Sequence, residues 1–319
     1  MDSKAFFHSQ KFGILIVLSC GIMWGISGIL GQYVFDASSL TATHLTIIRL
    51  FLSGVVLLFF SFCRKGKKTL SVWKKPQDLF SLIFFAITGL MGVQFTYFKS
   101  IEFSNAATGT VIQYTYIIML LFYTTFILHV KPKNYEAISV ICSFVGIFLI
   151  ATHGSFHSLA ISGQTLAWGQ LSALCFCIYC LYPQKLYDQY DLITVIGWSS
   201  LIGSIFLAIL TRTSSIPAMK PSVLLAAIGV AFVGTLIPFV IYGIGIGILG
   251  SVKASLFVTV EPISSAILTW LVFGTKFTLP DILGFLLILG SIELVALLTF
   301  RDEKREQKAH DMLSESCKA

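Results

Sequence analysis

FVTVEPISSAIL (257–268) holds a glutamate and a proline side by side within an apolar run. A carboxylate in apolar surroundings is unfavourable, and a proline inside a helix removes a backbone hydrogen bond. What Glu261 and Pro262 do therefore depends on whether this run lies in a soluble core or in a lipid bilayer. That choice also decides the fold class of the whole chain, because similar apolar runs recur along it.

The composition indicates a membrane protein. Of the 319 residues, 56% are hydrophobic and only 12% are charged, and the mean hydropathy is +0.86. A soluble protein of this length could not bury that much apolar surface in one core. Apolar runs of about 20 residues are typical of helices that cross a bilayer, and they make up most of the chain. We therefore predict an all-α integral membrane protein.

Apolar runs separated by short polar segments predict ten transmembrane helices. The loops between them are too short to form a soluble domain. The first run is too long for the apolar region of a cleavable signal peptide, so it is predicted to be the first span. The ten spans are expected near residues 12–34, 44–63, 79–99, 108–129, 137–153, 164–184, 192–211, 223–248, 252–273 and 281–299.

Lysine and arginine are unevenly divided between the two sides of these spans. With the N-terminus inside, inside segments hold 17 of them and outside segments hold 3. Because cytoplasmic loops are enriched in these residues, we predict a multi-pass protein of a cell membrane, bacterial in type, with both termini cytoplasmic. RKGKKTLSVWKK (64–75) is the strongest inside signal, although it could also recognise anionic lipid.

Two windows of the chain match each other without gaps at an offset of 145 residues. Residues 97–151 and 242–296 both contain a polar junction, a long span, a short basic loop and a second long span. Identical pairs include Tyr97/Tyr242. An odd number of spans in each half turns the second half upside down in the membrane, so we predict two inverted five-helix repeats. The alternative is that similar apolar helices simply look alike.

The offset divides the chain into three parts. Spans 1–5 form a first repeat at residues 12–153, spans 6–10 form a second at residues 164–299, and residues 300–319 form a polar cytoplasmic tail. Inverted repeats are typical of secondary transporters, in which the substrate site lies near the bilayer midplane between the repeats.

The chain resembles the EamA-like proteins of the drug/metabolite transporter superfamily in three stretches: TYFKSIEFSNAATGTVIQYTYI (96–117), FVGIFLIATHG (144–154) and GSVKASLFVTVEPISSAILTWLVFG (250–274). The resemblance covers nearly the whole chain and implies a ten-helix carrier of small polar or amphipathic metabolites, often directed outward. Family members often have a proline where Ile117 stands here, and Gly-Glu after the fourth and ninth spans. This chain lacks those glutamates, so no role of theirs is carried over.

Glu261 lies near the middle of the predicted ninth span. An ionised carboxylate there is unfavourable by about 2.5–3.5 kcal/mol on insertion scales, so Glu261 is expected to face the protein interior or a wet cavity. Pro262 cannot donate to the carbonyl of Val258, which is freed as an acceptor. We predict that Glu261 binds the cationic part of a substrate or a coupling proton. The alternative is a structural hydrogen bond to a neighbouring helix at a kink.

The fourth span corresponds to the ninth and carries Gln113, Tyr114 and Tyr116 near its centre, with Tyr116 at the position of Glu261. These groups are predicted to bind substrate, with helix-to-helix hydrogen bonding as the alternative. Trp24 lies at mid-span, away from the interfacial belt where tryptophan is common. It could line a cavity or stack on a ligand cation, or it could pack against a close helix.

Other charged residues within the spans are candidates for gating or pairing. Lys99 and Glu102 lie three residues apart near the outer end of the third span, so they can pair on one helix face, as an outer gate or as a surface ion pair. Arg49 is expected to snorkel or to pair rather than to bind substrate. Glu293 could reach cytoplasmic water or take part in function.

Several classes of protein lack their signals in this sequence. There is no P-loop for ATP and no HExxH pair, and CFCIYC (175–180) offers too few ligands for a metal site. We predict no cofactor, no bound metal and no catalytic residue. A membrane-embedded enzyme, a channel or a sensor remains the alternative to a carrier.

The expected substrates are amino acids or amines, because one carboxylate with aromatic and amide groups suits a cationic or zwitterionic ligand. Nucleotide sugars are disfavoured, since the predicted spans lack a central cluster of basic residues for two phosphates. The predicted partners are this small molecule, the lipid bilayer and, as a candidate coupling ion, the proton. No nucleic acid is expected, and the protein is predicted to be a monomer or a homodimer.

Overall fold

A computed structural model of the protein describes residues 10–127, 129, 131, 134–155, 160–213, 215–249, 254 and 257–316. These residues are almost entirely helical, and none of them forms a strand. Seven of the described helices are long and apolar enough to cross a membrane, and two further apolar helices are shorter. The predicted all-α membrane architecture is therefore confirmed.

We label the helical stretches α1 to α10 in chain order. Three of them contain an irregular segment, and short helices at Gly66–Lys74 and Gln184–Gln189 lie between the labelled ones. The labelled stretches are α1, Gln10–Ala37; α2, Ala42–Lys65; α3, Pro76–Phe84, Phe85–Met91 and Gly92–Glu102; α4, Ala106–Gln113, Tyr116–Phe122 and Tyr123–Ile127; α5, Asn134–Thr152; α6, Gly163–Leu181; α7, Leu192–Leu210; α8, Pro221–Ala231, Phe232–Leu236 and Ile237–Leu249; α9, Val260–Phe273; and α10, Leu279–Ser316.

The seven long helices correspond to predicted spans one to four and six to eight. The shorter apolar helices, Ala137–Thr152 and Val260–Phe273, correspond to the fifth and ninth, and the tenth predicted span lies inside α10. The number of ten membrane crossings stays a prediction. α10 does not end at residue 299 but continues as one helix to Ser316, so the described part of the tail extends that helix.

Local signals in the sequence set several helix ends. Asn105 Oδ1 accepts a hydrogen bond from the Thr108 amide, 2.9 Å away, at the start of α4, and Ser162 Oγ accepts one from the Thr165 amide over 3.0 Å at the start of α6. These caps satisfy amides that have no intrahelical acceptor. Gly274 ends α9 with a φ of +64°, a conformation that glycine adopts without steric strain.

The helices pack in a set of pairs that is symmetric with respect to the two halves of the chain. α2 packs on α7, and α5 packs on α10. α1 packs on α8 and α9, while α6 packs on α3 and α4. Exchanging the two halves, so that α1 takes the place of α6, α2 that of α7 and so on, gives the same set of pairs.

α5 and α10 approach each other closely through two glycines. A Cβ atom on Gly146 would lie 2.8 Å from the carbonyl oxygen of Gly284, and one on Gly284 would lie 2.7 Å from that of Gly146. Only glycine allows two backbones to come this near. Ser143 and Ser291 share a hydrogen bond of 2.8 Å across the same interface.

Four irregular segments occur in the halves at matching positions. α3 and α8 each contain a π-helical segment, at Phe85–Met91 and Phe232–Leu236. α4 is interrupted at Tyr114 and Thr115, and the chain turns again at Thr259 before α9. At the offset of 145 residues, 87–91 falls on 232–236 and Tyr114 falls on Thr259. π-Helical segments and broken helices are frequent at functional sites, in carriers in particular.

Candidate functional site

A cavity of about 450 Å³ lies beside the irregular segments of α3 and α4 and the turn before α9, with Leu90, Tyr114 and Val258 on its wall. Side chains from α1, α2, α3, α4, α6, α8, α9 and α10 line it, and the volume is in the range of small-molecule pockets. Its walls are largely aromatic, formed by Trp24, Tyr97, Tyr114, Tyr116, Phe176, Tyr179, Phe239 and Tyr242. Its polar groups include Ser27, Arg49, Gln94, Gln113 and Glu261.

Glu261 reaches this cavity from the first turn of α9, with only 8% of its surface exposed. The Tyr114 hydroxyl of α4 donates to Glu261 Oε2 over 2.9 Å and lies 3.2 Å from the carbonyl oxygen of Val258. That carbonyl is the acceptor that the proline was predicted to free. One phenol therefore connects the two interrupted helices through the carboxylate and the backbone beside it.

The kink that the sequence offered as an alternative takes the form of a turn at Thr259, with helical residues on both sides of it. α9 begins at Val260 after the turn at Thr259, so Glu261 and Pro262 occupy its first turn. A proline is tolerated there because the first amides of a helix have no intrahelical acceptors. A carboxylate is favoured there because it faces the positive end of the helix dipole. Most of the junction before this turn, residues 250–253, 255 and 256, lies outside the described residues.

Gln113 and Tyr116 of α4, two residues predicted to bind substrate, line the cavity. Both also contact neighbouring helices. Gln113 Nε2 donates to Ser172 Oγ of α6 over 2.7 Å. The Tyr116 ring packs on Phe176, with ring centroids 4.3 Å apart, and meets Tyr114 edge-on at 5.8 Å. Both residues are less than one-tenth exposed.

Trp24 lines the cavity and at the same time packs against α8. Its Nε1 donates to the carbonyl oxygen of Gly234 over 3.1 Å. Its ring meets Phe239 and Tyr242 edge-on, with centroids 5.7 and 5.5 Å away. Trp24 therefore both lines the cavity and packs against a close helix, while stacking on a ligand cation stays a prediction.

Lys99 and Glu102 do not line the cavity. Lys99 Nζ lies 2.8 Å from Glu102 Oε2 near the end of α3, and the two side chains are 19% and 20% exposed. The same carboxylate oxygen accepts from the Ala42 amide over 3.3 Å, at the start of α2. The pair thus holds the end of α3 against the start of α2. Glu293 accepts a hydrogen bond from the Thr259 hydroxyl, beside the turn before α9.

Arg49 lines the cavity although the sequence pointed to snorkelling or pairing. It is 5% exposed, so snorkelling is wrong, while its hydrogen bonds within the protein agree with pairing. Its Nε donates to Thr235 Oγ1 and its Nη2 to the carbonyl oxygen of Gly234, each over 2.6 Å. These acceptors belong to the π-helical segment of α8. The signal was present in the sequence, because an arginine inside an apolar span carries the same penalty that marked Glu261.

Sequence reasoning also missed Gln94, Tyr97 and Tyr242. Gln94 is 4% exposed, and neither atom of its amide group has a hydrogen-bond partner among the described residues. The Tyr97 hydroxyl shares a hydrogen bond of 2.9 Å with Thr110 Oγ1. Tyr97 and Tyr242 are an identical pair between the two repeat windows, a match that was used for the repeat but not for the site.

The cavity therefore carries opposite charges on separate helices. Arg49 and Glu261 attract each other electrostatically, yet within the described part of the chain they form no direct ion pair. A site of this kind can orient a polar ligand between two poles while aromatic walls cover its apolar part. No group of three or more His, Cys, Asp or Glu residues that could hold a metal ion occurs within the described residues.

The model of one protein family, the EamA-like transporter family, matches the chain twice, at residues 11–152 and 164–297. The chain is 37% identical over 302 residues to YicL of Salmonella typhimurium, described as an uncharacterized inner membrane transporter, and the match covers 94% of this chain and 99% of that one. It is 21% identical to YyaM and 24% identical to YrdR, two transporters of Bacillus subtilis described in the same way. Those matches cover 86% and 87% of this chain and 90% and 88% of the relatives.

A solved crystal structure shares the fold at low sequence identity. It is 17% identical to this chain, superposes with a TM-score of 0.60 and covers 92% of this chain and 100% of the other. The helical arrangement described above is therefore one that occurs in another protein.

Proposed function

The chain belongs to the EamA-like transporter family, and we propose that it is a secondary active carrier for small polar or amphipathic metabolites that bear an ammonium group. It is a multi-pass membrane protein, and a relative that matches over nearly its whole length is named a transporter. Within that class we propose amino acids and amines as substrates, alternating access as the mechanism, and export as the direction.

The observation that carries this proposal is the position of Glu261. A buried carboxylate is stable only with a partner, and Tyr114 supplies one hydrogen bond while the cavity leaves room for a ligand. An ammonium group can donate hydrogen bonds to the carboxylate and complement its charge. A proton can neutralise the same carboxylate when the ammonium group leaves.

Because Glu261 can hold either an ammonium group or a proton, but not both, its position supports coupling of substrate transport to protons. If a proton and an ammonium group compete for Glu261, and the site reorients only when one of them is bound, each metabolite that crosses is matched by a proton that moves the other way. An inward proton gradient then drives the metabolite outward, which is why we propose export. By the same competition, lowering the pH on the substrate side weakens binding of the cationic part.

The paired irregular segments support alternating access by inverted repeats. Residues 12–153 and 164–299 form the two repeats of this proposal, with residues 300–319 as the tail. The family model matches twice at nearly these boundaries, and the set of packed helix pairs is symmetric under exchange of the halves. We place both termini in the cytoplasm from the lysine and arginine bias, and we propose that the working unit is a monomer or a homodimer.

The test is counterflow of labelled amino acids and amines in proteoliposomes, with wild type and Glu261→Gln side by side at acidic and alkaline pH. We expect saturable exchange in the wild type, stimulated by unlabelled substrate on the opposite side, as a carrier requires and a channel does not. In Glu261→Gln we expect the exchange to be lost or to become independent of pH.

The matched control is Asp36→Asn, which neutralises an exposed carboxyl group at the end of α1. It should keep wild-type exchange. Wild-type rates and pH dependence in a folded Glu261→Gln protein would contradict the proposal and leave Glu261 with a structural role only.

A further inference from the structure

We propose that residues 64–75, which we call the basic segment, form a binding site for the headgroup of an anionic phospholipid. The segment joins α2 to α3 and contains the short helix Gly66–Lys74. Because α2 and α3 are both long and apolar enough to cross a membrane, the segment that joins them lies at a membrane surface. The inference concerns a lipid and is independent of the substrate that the carrier moves.

The basic segment is fixed to the protein along one side. Its helix has three residues per turn, so residues three apart lie on the same side. Thr69 and Val72 face the protein in this way, with 0% and 1% of their surfaces exposed. The Thr69 hydroxyl lies 3.0 Å from Ser61 Oγ of α2, and the Thr69 carbonyl oxygen accepts a hydrogen bond of 2.9 Å from Trp198 Nε1 of α7. These contacts hold the other sides of the helix in one orientation.

Apolar and basic side chains occupy separate rows on the exposed part of this helix. Leu70 and Trp73, three residues apart, are 41% and 42% exposed. Trp73 is held in place by Trp198, whose ring it meets edge-on with the centroids 4.9 Å apart. Lys68 and Lys74 belong to the next row and are both exposed. A helix with one apolar and one basic side is typical of segments that lie in the headgroup region of a bilayer, where tryptophan is also common.

The positive charge of the basic segment is largely unbalanced. Lys65 Nζ lies 2.9 Å from Asp191 Oδ1, and Lys75 Nζ lies 3.8 Å from Asp78 Oδ2. The segment carries six exposed basic residues, which are Arg64, Lys65, Lys67, Lys68, Lys74 and Lys75. The other four have no carboxylate partner among the residues whose side chains the structure describes. Exposed cations in this state suit a phosphate group.

The combination of charge with apolar surface favours a phospholipid over a soluble anion. A free phosphate would use the cations but leave Leu70 and Trp73 facing water. Phe59 and Phe62 lie in the last two turns of α2, directly before the basic residues, and are 70% and 38% exposed. Acyl chains can cover these rings while the phosphate meets the lysines. In the predicted orientation the lipid belongs to the cytoplasmic leaflet, which carries a negative surface potential.

The site is connected to the packed pair of α2 and α7. Ser61 Oγ shares a hydrogen bond of 2.7 Å with Thr194 Oγ1, and the ion pair of Lys65 with Asp191 joins the end of α2 to the start of α7. A ligand that binds only the folded protein raises its stability. An anionic lipid on this segment should therefore raise the unfolding temperature of the protein.

The experiment measures equilibrium binding of tritiated phosphatidylglycerol to the purified full-length protein in a neutral detergent. Its competitors are unlabelled phosphatidylglycerol, phosphatidylcholine with the same acyl chains, and inorganic phosphate. The test variant is Lys67→Gln/Lys68→Gln/Lys74→Gln. The matched control, Arg212→Gln/Lys220→Gln/Lys276→Gln, also removes three exposed cations, but on the predicted opposite side of the membrane.

We expect wild type to bind phosphatidylglycerol saturably and to release it to unlabelled phosphatidylglycerol far more readily than to phosphatidylcholine or phosphate. In the test variant the Kd for phosphatidylglycerol should rise about tenfold or more, and in the control it should stay within about twofold of wild type. Trp73→Ala should weaken binding without removing a charge. Phosphatidylglycerol should raise the unfolding temperature of wild type and not that of the test variant.

Three results would overturn the site: wild-type affinity in the folded test variant, an equal loss in the control, or equal competition by phosphatidylglycerol and either of the other two competitors. Equal competition by inorganic phosphate would identify a site for a soluble anion. The competition in wild type needs no variant, so it decides the question even if the test variant does not fold. Transport is not measured in any arm, so the proposed function stands or falls by counterflow alone.

Discussion

The two helix interruptions beside the cavity have nearly the same backbone conformation but carry different side chains. Tyr114 in α4 has φ −62° and ψ −11°, and Thr259 before α9 has φ −64° and ψ −5°. The two residues are 145 positions apart. The repeat therefore preserves the shape of the turn although it preserves neither of the side chains.

The interruptions keep their backbone groups satisfied by different means. In α4 the chain tightens and keeps backbone hydrogen bonds to the third residue back, from Thr115 to Ile112 over 3.1 Å and from Ile117 to Tyr114 over 3.2 Å. Before α9 the equivalent of Ile117 is Pro262, which has no amide to donate. There a side chain from the other interruption, Tyr114, approaches the backbone carbonyl instead.

The duplication accounts for the backbone of the two turns, and the side chains of the site account for the difference between them. The duplication supplies two turns that place residues 116 and 261 at the same cavity. The site adds a carboxylate on one side only, with its hydroxyl donor on the other. We therefore expect changes of shape to act alike on both interruptions and changes of chemistry to act on each one differently.

The largest effect should come from proline placed in α4. At Ile117, the equivalent of Pro262, a proline removes one hydrogen bond in a first turn, so the free energy of unfolding should fall by about 1 kcal/mol or less. At Leu120, further into the same helix, it should fall by about 3 kcal/mol or more. Titration of the purified protein with a denaturing detergent measures both. Equal destabilisation by the two prolines would show that the α4 turn is not equivalent to the α9 turn.

The second-largest effect tests whether the carboxylate can be moved from position 261 in α9 to the equivalent position 116 in α4. In a Glu261→Gln background, the added change Tyr116→Glu should not restore exchange, which should stay about 100-fold below wild type, the upper range for lost hydrogen bonds to a charged group. The reason is that Tyr114 and Val258 meet the carboxylate only on the α9 side. Counterflow of labelled phenylalanine measures it. Recovery to near wild-type rates would mean that the two positions are chemically interchangeable.

Removal of the connecting hydroxyl should have an intermediate effect. Tyr114→Phe keeps the ring but deprives Glu261 and the Val258 carbonyl of their donor, so exchange should fall about tenfold, as expected for one hydrogen bond to a charged group. Tyr116→Phe is the matched control from the same turn and should change exchange less. If the two variants behave alike, the hydroxyl of Tyr114 is not the link between the interruptions.

The smallest effect is expected for a carboxylate outside the cavity. Glu102→Gln breaks the pair with Lys99, which is partly exposed, so stability should change by about 1 kcal/mol or less. Exchange should stay close to wild type, because neither residue lines the cavity. Thermal unfolding and counterflow of the same preparation measure the two quantities. A strong loss of exchange with normal folding would make this pair an outer gate.

The sequence predicts the fold class and one pole of the site for a common reason. Lipid is a demanding solvent, so long apolar runs and a lone carboxylate within one of them stand out. Glu261 was found in this way, and Tyr116 followed from it through the repeat. Pro262 also marked the interruption before α9, where the chain turns at Thr259 between helical residues.

For the other pole, the sequence shows the charge of Arg49 inside an apolar span but not the packing that turns this side chain inward. Arg49 could have snorkelled from a straight helix, and only the π-helical segment of α8 gives it inward acceptors at Gly234 and Thr235. That segment, FVGTL, has no proline, and its single glycine, Gly234, does not by itself indicate a π-helical segment. The open hydrogen bonds of Gln94 are likewise visible only once its surroundings are known.

The symmetric set of helix pairs has a consequence for motion. α2–α7 and α5–α10 are each their own counterpart under exchange of the halves, whereas α1–α8 is exchanged with α6–α3. If the halves trade conformations, the first two pairs can persist while the last two take on each other's geometry. The contact of Cys175 with Gly92, between α6 and α3, then describes what α1 and α8 look like after the switch. If the proposed alternating access exchanges the halves in this way, distances between labels on α1 and α8 in the opposite-facing state should match the present geometry of α6 and α3.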